Sequence, residues 1–312
     1  MIRVIRGAWL RRIWDFIRLG RPLFLVGGFL FHGLGVAMAL YAGARLNRPV
    51  LLWGQVAITS IQLMTHYSND YFDLAADRAN RTPTRWSGGS RVLPAGLLPP
   101  RVALIAAVGL ALLALGATFV LGLWLQPAPL TIPLLLLALL LAWGYSAPPL
   151  RLHSRGIGEL TTALLVPGVT PVVGYYLQAG RLELLPFLAV FPLCCFQFAM
   201  LLSINFPDAA GDAVTGKRTL VVRLGSEQAA RLYVAILSAA YLSLPLLVWS
   251  GLPLPVALAA GLLAPAAAWQ IWRVRRGAWA DPAAWDSLAF WSIGLLMGTA
   301  ALETAAFLWL IA

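Results

Sequence analysis

Five of the twelve acidic residues in this 312-residue chain stand in two short stretches, Asn69-Asp70-Tyr71-Phe72-Asp73-Leu74-Ala75-Ala76-Asp77 and Asp208-Ala209-Ala210-Gly211-Asp212. On a helix turning about 100° per residue, Asn69, Asp70, Asp73 and Asp77 share one face, and Asp208 and Asp212 lie one turn apart. Carboxylates grouped in this way repel one another and raise their own pKa values unless a cation sits among them. Magnesium meets that need: it takes carboxylate oxygens, keeps water and binds beside substrate phosphates. Two facing aspartate helices would hold such ions against one diphosphate.

The cations supply the other half of a diphosphate site. Of the 23 basic residues 22 are Arg, and the one Lys, Lys217, stands in Gly216-Lys217-Arg218-Thr219 directly after the second cluster. Lysine acts on phosphate as a compact point charge and arginine as a bidentate fork. Arg78, Arg91, Arg218 and Arg223 are available to complete a clamp, although each taken singly also fits an ordinary loop cation. A third polar stretch runs from Tyr145 to Glu159, where Pro148-Pro149 forces an extended turn. Tyr145 and Arg151 are placed to reach an anionic group, and His153 reads as an interfacial residue. Glu159 and Glu303 are ionisable groups in apolar surroundings, where such residues are costly and point to function.

The elements that carry these residues are membrane helices. The chain is 60% hydrophobic and 11% charged, with a mean hydropathy of +0.80, a profile outside the soluble range. A hydrocarbon core of about 30 Å needs roughly 20 apolar residues per helix. Nine stretches qualify, near 22–41, 50–68, 101–122, 130–147, 158–178, 186–206, 229–249, 253–272 and 288–310. Alternating β-barrel patterning is absent. The predicted fold is an all-α polytopic bundle of nine transmembrane helices. Residues 1–21 form an amphipathic interfacial segment before a single domain over 22–312. In that segment Ile2, Ile5, Trp9, Ile13 and Phe16 recur at helical spacing among arginines. Ala37-Met38-Ala39 resembles a signal cleavage site, but the apolar run before it is span-length, favouring a retained helix.

The net charge of +11 does not imply nucleic acid, because its distribution is one-sided. With the N-terminus inside, 20 of the 23 Lys and Arg residues fall on the inner face, and Arg45, Arg48 and Arg181 fall outside. This is the positive-inside pattern. It predicts a cytoplasmic N-terminus and both aspartate clusters on the cytoplasmic face of a cell (inner) membrane. The connections over 69–100 and 207–228 both open with aspartates and then turn basic, which suggests a faint internal duplication. Cys194 and Cys195 are adjacent and have no zinc spacing, so they read as packing residues.

The motif Asn69-Asp70-x-x-Asp73-x-x-x-Asp77, the motif Asp208-x-x-x-Asp212 and the nine expected spans together resemble the UbiA superfamily of intramembrane prenyltransferases over nearly the whole chain. The stretches 87–96 and 216–225, with Tyr145-Ser146-Ala147-Pro148-Pro149-Leu150-Arg151 and Arg155-Gly156-Ile157-Gly158-Glu159, look most like its menaquinone branch, the 1,4-dihydroxy-2-naphthoate polyprenyltransferases. The resemblance implies Mg2+-dependent transfer from a polyprenyl diphosphate to an aromatic acceptor. It implies Asn69, Asp73, Asp77, Asp208 and Asp212 as holders of magnesium and diphosphate. Asp70, Asp73, Asp208 and Tyr145 become catalytic candidates, with Asp70 activating the acceptor and Tyr145 over the allylic carbon. Asn69, Arg78, Arg91, Arg151, Lys217 and Arg218 become diphosphate contacts. Two departures stand out: relatives often carry Lys near His153, and Ile204-Asn205 keeps only one member of a polar pair. Rival readings keep the chemistry with another acceptor (4-hydroxybenzoate, homogentisate, a chlorin, haem or a glycerol phosphate), or replace it with an ion-coupled transporter. A transporter would place its aspartates near mid-membrane instead of at span ends.

Overall fold

The computed structural model describes the backbone of residues 2–312 and the side chains from Trp9 onward. Its elements are helical: α1 (Ile2–Leu19), α2 (Pro22–Tyr41), α3 (Arg48–Phe72), the short α4 (Leu74–Ala79), α5 (Pro100–Leu125), α6 (Thr131–Ser146) and α7 (Gly158–Ala179). There follow the 31-residue α8 (Leu184–Val214), the single turn α9 (Leu220–Leu224), α10 (Ser226–Trp249), α11 (Leu254–Gly261), α12 (Ala264–Arg275) and α13 (Pro282–Ile311).

Each expected span falls on one helix or on a bent pair, but not all are long and apolar enough to cross a bilayer unaided. Among the described residues six helices meet that standard, and α11 with α12, bent by 42°, make a seventh. The other two fall short for different reasons. Helix α6 has only 16 residues, about 24 Å at helical rise against a core of about 30 Å. Helix α3 is long but carries a polar stripe of Gln55, Thr59, Gln62, His66 and Asn69 at alternating spacings of four and three. Two members of that stripe bond helix α2: His32 meets Gln55 at 2.9 Å, and Gln62 donates to the Phe24 carbonyl at 2.6 Å, while His66 meets the Gly20 carbonyl just ahead of α2 and Asn69 donates to Ser146 on α6.

In lipid, helices associate by close backbone approach and hydrogen bonding, since tails are as apolar as leucine. Helices α2 and α7 show this. A Cβ at Gly35 would overlap the Pro171 carbonyl, and Gly174 lies equally close to the backbone of His32. Large apolar side chains instead face outward, as at Ile105, Leu112 and Leu140. Trp124, Trp249 and Trp309 stand exposed near helix ends, where indoles favour a membrane–water interface. Described side chains of α1 show the same exposure at Trp9, Leu10, Ile13 and Trp14, while Phe16 stacks on Tyr67. Cys194 and Cys195 are free thiols within α8.

The ends that carry the aspartates are set by local chemistry. Asn47 caps the far end of α3 by accepting from the Val50 N–H, with Pro49 in the first turn. At its other end Asp73 closes the helix, its N–H on the Asn69 carbonyl at 2.8 Å, and α4 begins at once. Pro207 inside α8 lacks an N–H for the Ser203 carbonyl, which interrupts the ladder just ahead of Asp208.

Candidate functional site

One ammonium joins the two acidic segments. Lys217 Nζ lies 2.9 Å from Asp73 Oδ2 and 3.4 Å from Asp212 Oδ1. Asn69 Nδ2 donates to the same Asp73 oxygen and to Ser146 Oγ, each at 3.0 Å. The other Asp73 oxygen meets His153 Nε2 at 2.5 Å, while His153 Nδ1 sits 2.6 Å from the Tyr145 carbonyl. The ring therefore bridges the Asp73 carboxylate and the Tyr145 carbonyl, one through each nitrogen. His153 is 3% exposed, which corrects its expected interfacial placement: it belongs to the site, beside the Tyr145 ring at 5.3 Å.

The remaining aspartates differ in their partners. Asp70 is fully buried; Arg21 pairs with one oxygen, and the Ser90 hydroxyl and N–H hold the other. Asp208 accepts from Asn80 Nδ2 at 2.7 Å and from the Gly88 N–H at 3.2 Å. The loop 80–91 therefore lies against both clusters. Its glycines are required there: Gly88 and Gly89 have φ of 72° and 73°, and a Cβ on Gly89 would overlap the Asp77 carboxylate. Arg91 donates to the Asp77 carbonyl at 2.5 Å, so its guanidinium fastens this loop.

Burial pushes the Asp77 carboxyl up to about 7, and the charges of Asp70 and Asp73 push in the same direction. Burial acts upward on Asp73 too, but Lys217 and His153 outweigh it and hold that carboxyl well below the usual range. Burial would lower the Lys217 pKa; Asp73 and Asp212 more than reverse this and raise it. Behind Lys217 lies a basic groove. One cavity of about 260 Å³ is lined by Arg151, Ser154, Arg155, Thr215, Gly216 and Lys217. A neighbouring one of about 650 Å³ is lined by Ala213, Gly216, Arg218, Val222 and Arg223. Five of these residues are cations and none is acidic.

Among the described residues no three His, Cys, Asp or Glu side chains stand close enough to chelate a metal by themselves. The donor set still suits magnesium, which takes one or two carboxylates and completes its shell with water and phosphate oxygens. Asp212 Oδ2 is buried without a hydrogen-bond partner, and Asp77 is short of positive charge. The oxygen-rich, acid-rich face beside a basic groove matches a divalent ion shared with a diphosphate.

Of the sequence-predicted residues, the structure brings Asn69, Asp73, Asp212 and Lys217 into direct contact, with Asp77 and Asp208 alongside through loop 80–91. Tyr145 lies next to His153, and Arg151 and Arg218 line the groove. Arg78 is exposed and makes no ion pair with these carboxylates. Arg21, Asn80, Ser90 and Ser146 were not foreseen. They are common polar residues with distant partners, 77 positions away for Ser146 and 20 for Ser90, and no local pattern marks them.

Comparison with known proteins shows the family to which the chain belongs. Residues 29–294 match the model of the UbiA prenyltransferase family. A 1,4-dihydroxy-2-naphthoate octaprenyltransferase of Bacillus subtilis is 24% identical over 76% of this chain and 75% of its own length. Its counterpart in Mycobacterium tuberculosis is 29% identical over 67% and 68%. The bacteriochlorophyll synthase 33 kDa chain of Cereibacter sphaeroides is 28% identical over 73% and 72%. A solved UbiA homologue from Archaeoglobus fulgidus bound to GPP and Mg2+ superposes with a TM-score of 0.62 and 15% identity, covering 95% of this chain and 99% of that one. The chain belongs to the UbiA prenyltransferase family and is a multi-pass membrane prenyltransferase.

Proposed function

We propose that this enzyme transfers a polyprenyl group from a polyprenyl diphosphate to 1,4-dihydroxy-2-naphthoate, with Mg2+, in menaquinone biosynthesis. The bridge from Asp73 through Lys217 to Asp212 carries this reading, because it joins both acidic segments and a phosphate-binding cation at one point. Two relatives named as naphthoate octaprenyltransferases support the acceptor, and the homologue bound to GPP and Mg2+ supports the donor and the metal.

Asn69, Asp73, Asp77, Asp208 and Asp212 would hold the magnesium. The bound metal would neutralise charge that develops on the leaving diphosphate. Lys217, Arg218 and Arg151 bind diphosphate oxygens from the groove side. As the bond from allylic carbon to oxygen breaks, the prenyl carbon becomes cationic and needs π faces and no stray water. Tyr145, held by its place beside His153, offers such a face. The ring carbon bearing the carboxylate forms the new carbon–carbon bond, and carbon dioxide leaves. Asp70, expected to activate the acceptor, already gives both oxygens to Arg21 and Ser90. Its role here is to fix the motif helix against the junction of α1 and α2.

The same reading has nine spans in a cell (inner) membrane, α1 in its interface and the site on the cytoplasmic side, a sidedness that the one-sided charge distribution supports. Purified protein given labelled polyprenyl diphosphate and a panel of acceptors should form product with dihydroxynaphthoate and magnesium, and none with EDTA. Product with 4-hydroxybenzoate, a chlorin or another acceptor instead would replace the acceptor and keep the chemistry. Transfer that persists in EDTA would overturn the site.

A further inference from the structure

We propose that Glu159 is a positioning residue for the turn that presents Lys217 and Arg218. The proposal rests on the diphosphate reading above and adds what holds that turn in place. Three backbone N–H groups anchor it, each on a different segment. Lys217 N–H donates to the Asp212 carbonyl at 2.9 Å, Arg218 N–H to the Ser154 carbonyl at 3.2 Å, and Leu220 N–H to Glu159 Oε1 at 3.0 Å. Only the last anchor is a side chain. The same Oε1 accepts from Asn205 Nδ2 at 2.8 Å, three residues ahead of Asp208 on α8.

Glu159 is 1% exposed, and its second oxygen is buried without a partner. A buried polar side chain costs stability unless it is hydrogen-bonded, and for Glu159 the two bonds to Oε1 supply that compensation. One of the two donors is a helix-end N–H, because Leu220 opens α9 and its N–H has no partner within that helix. Gly216 has φ of 76° and nothing within 4 Å of an added Cβ, so the turn gets no packing on that side. Glu159 thus ties three parts of the site at one oxygen: α7, which follows the Arg151–His153 segment; α8, which carries Asp208 and Asp212; and the Lys217 turn.

The test compares Glu159→Ala, Glu159→Gln and Leu220→Pro in purified full-length protein. Gln keeps an oxygen acceptor. Proline suits the first position of a helix and removes the N–H without touching Glu159, and Leu220→Ala is its side-chain control. Glu159→Ala and Leu220→Pro should each raise the KM for polyprenyl diphosphate about tenfold, the upper worth of one ordinary hydrogen bond, with acceptor KM unchanged. Their double variant should be no worse than either. Glu159→Gln and Leu220→Ala should stay near wild type. Trypsin should cut after Lys217 or Arg218 faster only in the two defective variants, a readout that needs no transfer activity. A wild type inactive in transfer would defeat the parent reading and leave the trypsin comparison to decide this one. Equal rises in both KM values, Glu159→Gln behaving as Glu159→Ala, or unchanged cleavage in Leu220→Pro would overturn the proposal.

Discussion

The two acidic segments look alike in sequence and are treated differently by the fold. In the first, Asp70 is paired with Arg21, and Asp73 lies between Lys217 and the His153 ring. In the second, Asp208 receives the neutral donors Ser87, Asn80 and Gly88, and Asp212 shares Lys217 at 3.4 Å with its other oxygen unpartnered. Asp70 and Asp73 are therefore charge-compensated within the protein, whereas Asp77, Asp208 and Asp212 have room for positive charge from outside. On the proposed function, Asp70 anchors the motif helix, and the less compensated Asp77, Asp208 and Asp212 would take most of the metal's charge.

The sharpest way to break this contrast is to remove the shared point. Asp73→Ala deprives Lys217 and His153 of their common partner, and transfer should fall by about a thousandfold, the upper range for one preorganised electrostatic group. A radiolabel transfer assay reads it. Asp212→Asn should act through the metal, raising the magnesium concentration for half-maximal rate by about tenfold or more. The same measurement on Asp70→Asn should show an unchanged magnesium requirement. Its effect should instead be on stability, a loss of about 3 kcal/mol from leaving Arg21 facing a site without its charge partner. Denaturant unfolding in detergent, with Arg21→Met and the double variant, separates the pair's coupling from each single loss.

Those contrasts also show how far the chain could be read without coordinates. Helical class, the order of the helices and the approach of both motifs to one another were legible, because apolar runs and one-turn acid spacing are local signals; which helices are long and apolar enough to cross unaided was not, since α3 and α6 fall short. Partners of the acids were not. Nothing near Arg21 marks it for Asp70, 49 positions away, and His153 looked like one more loop residue until Asp73 closed on it. No local signal in α3 marks the distant partners of its polar stripe, and its bonds to α2, to Gly20 and to Ser146 on α6 show where it is satisfied. Burial and tertiary pairing decide such roles, and neither has a period in sequence.

Smaller effects sharpen the picture at the loop between the segments. Gly89→Ala strains a backbone at φ of 73° and presses a methyl on the Asp77 carboxylate. It should reduce kcat about tenfold or more, since a displacement of about 1 Å at a site can cost a hundredfold, while circular dichroism stays helical. Asp77 gives the smallest and most directional effect. Burial and the neighbouring Asp70 and Asp73 push its carboxyl up to about 7 from an ordinary 3.8, so the folded form holds its proton more tightly. The protein should lose stability as pH rises toward and through 7, and below about 4 this contribution to the pH dependence should vanish. Without magnesium, Asp77→Asn should therefore melt higher than wild type at about pH 8, with a gap that narrows at about pH 5 and shrinks when magnesium and diphosphate are added.

The central claim, that both acidic segments form one magnesium–diphosphate site around Lys217, is tested most directly by calorimetric titration of inorganic diphosphate into wild type, Asp73→Asn and Asp212→Asn with and without magnesium. Binding should appear only with magnesium and weaken by at least about tenfold in each variant. Equal affinity in EDTA, or affinity untouched by both substitutions, would contradict it.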